Sequence, residues 1–114
     1  MEIAEASHGA VLVLSPQGRL DSITAPAFER LVRGRLADGQ RRIVIDLDAL
    51  DYISSAGLRV LLVAAKALKA ARGQIALCRV KGTVMAVLRV SAFDRIFTIL
   101  PSLDQAIAQL GDVA

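Results

Sequence analysis

The chain has 114 residues, which is room for one domain whose core needs neither disulfides nor metal. Hydrophobic residues make up 54% and charged residues 22%, which excludes an intrinsically disordered chain. Aromatic residues make up only 4% and Trp is absent, which argues against a base-stacking nucleic-acid binder. The net charge of +3 is mild and favours solubility, so we expect no direct nucleic-acid partner.

Three features of the sequence bear on the cellular compartment: the first residues, the length of the apolar runs and the single cysteine. Glu2 and Glu5 lie among the first five residues, so no signal peptide is expected to begin there. The longest apolar run, residues 60–65, is far shorter than the roughly 20 residues that a membrane-spanning helix needs. The single Cys78 fits a reducing compartment. We expect one cytoplasmic domain over residues 1–114, without membrane insertion.

The first part of the chain predicts a hairpin and a helix. Residues 3–6 and 10–14 predict two strands joined by a turn over residues 7–9. The hydroxyl of Thr24 is expected to cap a helix that ends near Gly39. Its apolar residues recur at helical spacing, and they are Phe28, Leu31, Val32 and Leu36.

The rest of the chain alternates strands and helices. Residues 41–47 have a continuous apolar centre, typical of a central parallel strand that is buried on both faces. The later predicted elements are a helix over 55–72, a strand over 74–80, a helix over 83–91, a strand over 96–100 and a helix from Ser102. This order predicts an α/β fold, with an N-terminal hairpin and then parallel strands in one mixed sheet packed with about four helices.

One segment combines acidic and hydroxyl side chains after the buried strand. Three aspartates follow between residues 46 and 51, and Ser54 and Ser55 then open the next helix. Free N–H groups and the helix dipole favour an anion at such a position. Arg59, one turn beyond Ser55, is spaced to pair with a phosphate on Ser55, whereas the three aspartates oppose it by repulsion. The balance predicts a site that carries phosphate without disrupting the fold.

Three stretches together carry a family pattern. Residues 18–26 (GRLDSITAP) fit Gly-x-Leu-Asp-x-x-Thr-Ala-Pro before the first helix. Residues 43–47 (IVIDL) fit a central strand, and residues 52–58 (YISSAGL) fit a serine phosphorylation segment. With the order of elements, these stretches resemble the STAS domain of the anti-sigma factor antagonist type.

The resemblance implies a regulatory protein without enzyme activity, catalytic residues, cofactor or bound metal. In this family an anti-sigma factor that is also a serine kinase binds the unphosphorylated antagonist and thereby releases its sigma factor. The same kinase phosphorylates the serine that matches Ser55, and a metal-dependent serine phosphatase reverses the modification. A phosphoserine adds about −1.5 to −2 charges, and burying that charge unpaired in an interface costs several kcal/mol.

The predicted phosphate acceptor is Ser55, with Ser54 as the alternative. The family often has Asp where this chain has Ser54, and Ser55 precedes Ala56 and Gly57 by the family spacing. Helix capping is the competing role for both serines. The predicted partner-binding residues are Asp21, Ser22, Thr24, Asp51, Ser54, Ser55, Gly57, Leu58 and Arg59.

Two other functions stay open. Small STAS subunits also attach to the ATPase of an ABC-type lipid transporter, where the start of the serine-bearing helix would be a docking contact. The sequence Asp46-Leu47-Asp48 after a strand is similar to the motif of haloacid-dehalogenase phosphatases. Leu50 stands where that motif has Thr or Val, and the chain is too short for the rest of that active site.

The remaining polar residues are expected to have ordinary roles. The three aspartates lack the Gly and terminal Glu of a calcium loop, so turn and surface roles are predicted for them. His8 is expected to be solvated in the hairpin turn, and Cys78 to be an inert core residue. The solvent-facing side of the second helix carries cations that could also dock an acidic partner, and these are Arg59, Lys66, Lys69 and Arg72.

Overall fold

A computed structural model describes residues 1–111, so the last three residues of the predicted 1–114 domain lie outside the described part. The described strands are β1 (Ile3–His8), β2 (Val11–Pro16), β3 (Gly18–Leu20), β4 (Arg42–Asp46), β5 (Leu50–Ile53), β6 (Gln74–Cys78) and β7 (Thr98–Leu100). The described helices are α1 (Ala25–Ala37), α2 (Ser55–Ala70), α3 (Gly82–Val90), α4 (Leu103–Gly111) and a 3-10 turn at Phe93–Arg95.

The main sheet has the strand order β1-β2-β4-β6-β7. β1 and β2 form the antiparallel hairpin, and β2, β4, β6 and β7 run parallel. α1, α2 and α3 pack on one face of this sheet, and α4 packs on the other against Val13, Val44 and Ala76. β4 is buried between two neighbours and two layers of helices, as its continuous apolar centre predicts. The predicted mixed α/β fold is confirmed.

A second, two-stranded sheet was absent from the sequence prediction. β3 pairs with β5 in parallel, with Leu20 opposite Ile53. Neither strand reaches five residues, and Asp51 and Tyr52 are both exposed, so no alternation of apolar and polar residues marks β5. This small sheet brings the chain after Leu20 beside the start of α2.

The first hairpin and the first helix differ locally from the prediction. The turn lies at residues 9–10 because Gly9 adopts φ +61°, so the exposed His8 ends β1 and is not part of the turn. The predicted Thr24 side-chain cap of α1 is wrong. Thr24 has helical backbone angles, unlike a capping residue, and its hydroxyl bonds to Arg19 and Asp21 instead. Gly39 follows the end of α1 with φ +100°, as predicted.

The later elements follow the prediction with shorter strands. β6 ends at Cys78 rather than residue 80, because Arg79 turns the chain with φ +51°. β7 begins at Thr98, after the 3-10 turn. The Ser102 hydroxyl accepts a hydrogen bond from the Gln105 amide at 3.1 Å, so Ser102 starts α4 as predicted. Within residues 1–111, every helix is too short or too polar to cross a bilayer.

Candidate functional site

The two adjacent serines have different structural roles. Ser54 is the N-cap of α2, and its extended backbone lets its hydroxyl oxygen accept a hydrogen bond from the Gly57 amide at 3.3 Å. Ser55 is the first residue of the helix and is exposed. Among residues 1–111 its hydroxyl makes no hydrogen bond. One serine therefore stabilises the helix end, and the other offers a free hydroxyl to another molecule.

The start of α2 is electrostatically suited to an anion. The helix has 16 residues, and no acidic side chain lies in its first turn to neutralise the positive end of the dipole. Arg59 is exposed one turn beyond Ser55. A phosphate on Ser55 would be stabilised by the helix end, and Arg59 has the i,i+4 spacing that lets a guanidinium pair with it.

The segment around Asp21 is fixed against the start of α2. The Ser54 amide donates to the Leu20 carbonyl at 3.0 Å. Gly57 packs directly on the same carbonyl, and a Cβ at Gly57 would collide with that oxygen and lie 2.7 Å from the Ile53 side chain. Gly57 and Leu58 are buried, so these two predicted partner-binding residues support the surface from beneath.

Asp21 organises the turn before α1. Its Oδ1 accepts hydrogen bonds from the Ile23 amide at 3.0 Å and the Thr24 amide at 3.2 Å. The hydrogen bond from the Thr24 backbone amide is the main reason that the pKa of Asp21 lies below its usual value. The Thr24 hydroxyl donates to the Arg19 carbonyl at 2.8 Å. Ser22 and Ile23 remain exposed on a turn that is held at several points.

The three aspartates between residues 46 and 51 each lie near a cation, and Asp46 and Asp48 share Arg79. Asp46 is only 3% exposed and binds Arg79 through both oxygens, at 3.1 Å to Nε and 2.5 Å to Nη2. Asp48 lies 3.9 Å from Arg79, and Asp51 pairs with Lys81 Nζ at 2.7 Å. These cations would reduce the repulsion between the aspartates and a phosphate at Ser55.

The predicted surface role is therefore wrong for Asp46. Its burial is tolerated because Arg79 satisfies both oxygens, and the Asp48 amide also donates to Oδ1. A carboxylate held in this way is not free to act as the nucleophile of a phosphatase. The Arg79 pair thus argues against the phosphatase alternative.

The cysteine and the cations of α2 lie where the sequence predicts them. Cys78 is fully buried, as predicted, and burial raises the pKa of its thiol to about 12. Lys66, Lys69 and Arg72 are exposed with Arg59 on the solvent side of α2 or just after it. The sequence places Ile23 in the expected binding loop over residues 21–24 but does not single it out, and it gives no sign that Arg19 stacks on Tyr52. The one feature of the sequence that marks Ile23 is that it is an apolar residue inside a polar turn.

Comparisons with known proteins agree with this architecture. The family model of the STAS domain matches residues 3–106. The Bordetella bronchiseptica protein BtrV, named as an anti-sigma factor antagonist, is 41% identical over 108 residues, covering 95% of this chain and 93% of its own length. The chain belongs to the STAS domain family.

Solved structures give the same result. An anti-sigma factor antagonist from Mycobacterium paratuberculosis superposes with a TM-score of 0.87 and 28% identity, over 97% of this chain and 94% of its own. A Thermotoga maritima protein named as an anti-sigma factor antagonist shares the fold, with a TM-score of 0.91 and 24% identity over 96% of this chain and 94% of its own. The family inferred from the three sequence stretches is confirmed, and its homologues are named anti-sigma factor antagonists.

Proposed function

We propose that this chain is an anti-sigma factor antagonist whose partner binding is switched at Ser55. It binds an anti-sigma factor while the Ser55 hydroxyl is free and releases it when Ser55 carries phosphate. The chain itself catalyses no reaction. The observation that supports this best is the division between the serines, because the exposed Ser55 can be modified while Ser54 keeps capping α2.

The charge balance favours a change of surface over a change of fold. On the free chain, the phosphate is solvated and lies at the positive end of α2 near Arg59. In a complex the same phosphate adds about −1.5 to −2 charges to an interface formed for a neutral hydroxyl. A loss of about 2.7 kcal/mol weakens binding roughly 100-fold. The complex dissociates and the fold persists.

The proposed partners are an anti-sigma factor with serine kinase activity and a metal-dependent serine phosphatase. The proposed surface combines the turn before α1, the end of β5 and the exposed side of α2. Its members are Asp21, Ser22, Thr24, Asp51, Ser54, Ser55 and Arg59, with Gly57 and Leu58 beneath them.

Phosphate mapping tests the acceptor. The native chain, Ser55→Ala and Ser54→Ala are each incubated with ATP and an anti-sigma factor kinase from the same genome, and the phosphate is located by mass spectrometry. Phosphate is expected on Ser55 in the native chain and in Ser54→Ala, and none in Ser55→Ala. Phosphate on Ser54, or none from a kinase active on another substrate, contradicts the proposal.

Binding measurements test the switch. Ser55→Asp is expected to bind the same anti-sigma factor about 100-fold more weakly, and Ser55→Ala to bind like the native chain. Ser102→Asp is the matched control, because it places the same charge at the start of α4 on the other face of the sheet. Equal affinities for Ser55→Asp and Ser102→Asp would show that charge at Ser55 has no specific effect.

A further inference from the structure

One aliphatic side chain is strongly exposed beside the proposed switch. Ile23 is 85% exposed. Among the large apolar residues of the described chain, only Val90, at the end of α3, is exposed to a similar extent. A single exposed apolar residue is ordinary, so the surroundings of Ile23 decide whether it has a role.

The backbone around Ile23 is held in one conformation. The amides of Ile23 and Thr24 both donate to the Asp21 carboxylate, and the Thr24 hydroxyl accepts from the Asp21 amide at 2.9 Å. These hydrogen bonds restrict the backbone of the turn, so the position of the Ile23 Cβ is fixed. A partner that buries Ile23 therefore loses little conformational entropy in ordering the turn.

An aromatic and a cationic side chain adjoin this turn. The Arg19 guanidinium lies 4.0 Å from the centre of the Tyr52 ring, and its Nε is 3.6 Å from Asp21 Oδ2. Tyr52 is 42% exposed and lies two positions before Ser54. With Trp, Tyr and Arg are the residue types most enriched among those that dominate binding energy at protein interfaces, and such residues cluster near the centre of the interface.

The turn and Ser55 belong to one rigid unit. The Leu20 carbonyl accepts from the Ser54 amide and is covered by Gly57, so the two segments cannot separate without breaking both contacts. A protein that binds at Ser55 therefore finds Ile23 at a fixed position relative to that serine. We propose that Ile23 is the apolar anchor of that interface and inserts into a concave apolar pocket of the anti-sigma factor, flanked by Tyr52 and Arg19. This inference rests on the proposed function: Ser55 controls whether the partner binds, and Ile23 supplies a large part of the affinity.

Two exposed aliphatic residues give a matched test. Ile23→Ser and Val90→Ser each remove a similarly exposed apolar side chain, and both variants are expected to unfold at the temperature of the native chain. Isothermal titration with the purified anti-sigma factor is expected to show binding weakened at least about tenfold by Ile23→Ser and less than about twofold by Val90→Ser. Ile23→Val is expected to retain most of the affinity, because an apolar side chain remains.

Ser55→Asp, measured in the same series, separates the two proposals. Equal affinities for Ile23→Ser and Val90→Ser, with Ser55→Asp weakened, overturn the anchor and leave the switch intact. Weak binding by Ile23→Ser with native affinity for Ser55→Asp supports the anchor and overturns the switch. If Ile23→Ser abolishes only self-association of the chain, the anchor faces a second copy and the proposal is wrong. If the native chain does not bind, both proposals fail.

Discussion

The ends of β4 and β5 carry polar side chains only nine positions apart in sequence, yet they differ in physical character. Asp46, at the end of β4, is buried and fully bonded to Arg79. Ser55, just after β5, is exposed and makes no hydrogen bond among the described residues. A polar residue at the carboxyl end of a parallel strand is therefore not by itself a sign of function. A buried partner indicates a structural role, whereas exposure beside a capped helix leaves the side chain available to another molecule.

The difference follows from the sheet to which each strand belongs. β4 lies in the middle of the main sheet, with helices on both faces, so a polar group at its end must find an internal partner. β5 pairs only with β3, and its two central residues face solvent.

Gly57→Ala tests the contact that joins the small sheet to α2. The added methyl collides with the Leu20 carbonyl, a backbone group that cannot rotate away, so we expect a loss of about 2–3 kcal/mol in unfolding free energy. Gly34→Ala is the control. It lies within α1 with open space around it, so its methyl is expected to stabilise the chain by about 0.5–1 kcal/mol. Urea unfolding measures the unfolding free energy of both variants. Native stability for Gly57→Ala would show that Gly57 does not pack tightly on the Leu20 carbonyl.

Asp46→Ala tests the structural role of the buried pair. Removing the carboxylate takes two hydrogen bonds from Arg79, and we expect a loss of about 2 kcal/mol, because the partly exposed guanidinium regains water. Asp48→Ala removes a more distant, exposed carboxylate and is expected to change stability by less than about 0.5 kcal/mol. Partner affinity of the folded molecules should be unchanged in both. A large affinity loss in Asp46→Ala would place Asp46 in the recognition surface.

Ser54→Ala and Ser55→Ala divide capping from recognition. Loss of the Ser54 hydroxyl leaves the Gly57 amide without its acceptor, so thermal unfolding is expected to show a loss of about 1 kcal/mol. Ser55→Ala removes no hydrogen bond seen among residues 1–111 and is expected to unfold like the native chain. The reverse order of stabilities would exchange the roles of the two serines.

The smallest expected effect is a pH dependence from Asp21. The pKa of Asp21 is lower in the folded chain than in the unfolded chain, chiefly because the Thr24 amide bonds to the carboxylate. Its contribution is therefore present above pH about 4 and is lost as the pH falls through the folded pKa. Thermal unfolding of the native chain and Asp21→Asn should differ most near neutral pH and converge in acid. A constant difference down to pH about 2 would rule out this linkage.

Local pattern was sufficient for the main sheet and insufficient for contacts between distant segments. The strand around residues 43–47 was predictable because a continuous apolar run requires burial on both faces. The buried role of Asp46 was not, because Arg79 follows 33 residues later and reaches it only through the pairing of β4 with β6. Likewise, β5 contains too few residues to show a period.

The same limit applies to the candidate site. Thr24 fits a capping pattern, but Asp21 three residues earlier competes for its hydroxyl and its amide. Either Ser54 or Ser55 could cap α2 by residue type alone. Only the extended backbone of Ser54 decides between them.

The separation of the two serines has a consequence for the lifetime of the protein. Because the helix cap does not use the Ser55 hydroxyl, the modified and unmodified chains should resist proteolysis equally well. If Ser55 is phosphorylated as proposed, a cell could hold either form at the same rate of degradation, and the ratio of the two forms would be set only by the reactions that add and remove the phosphate.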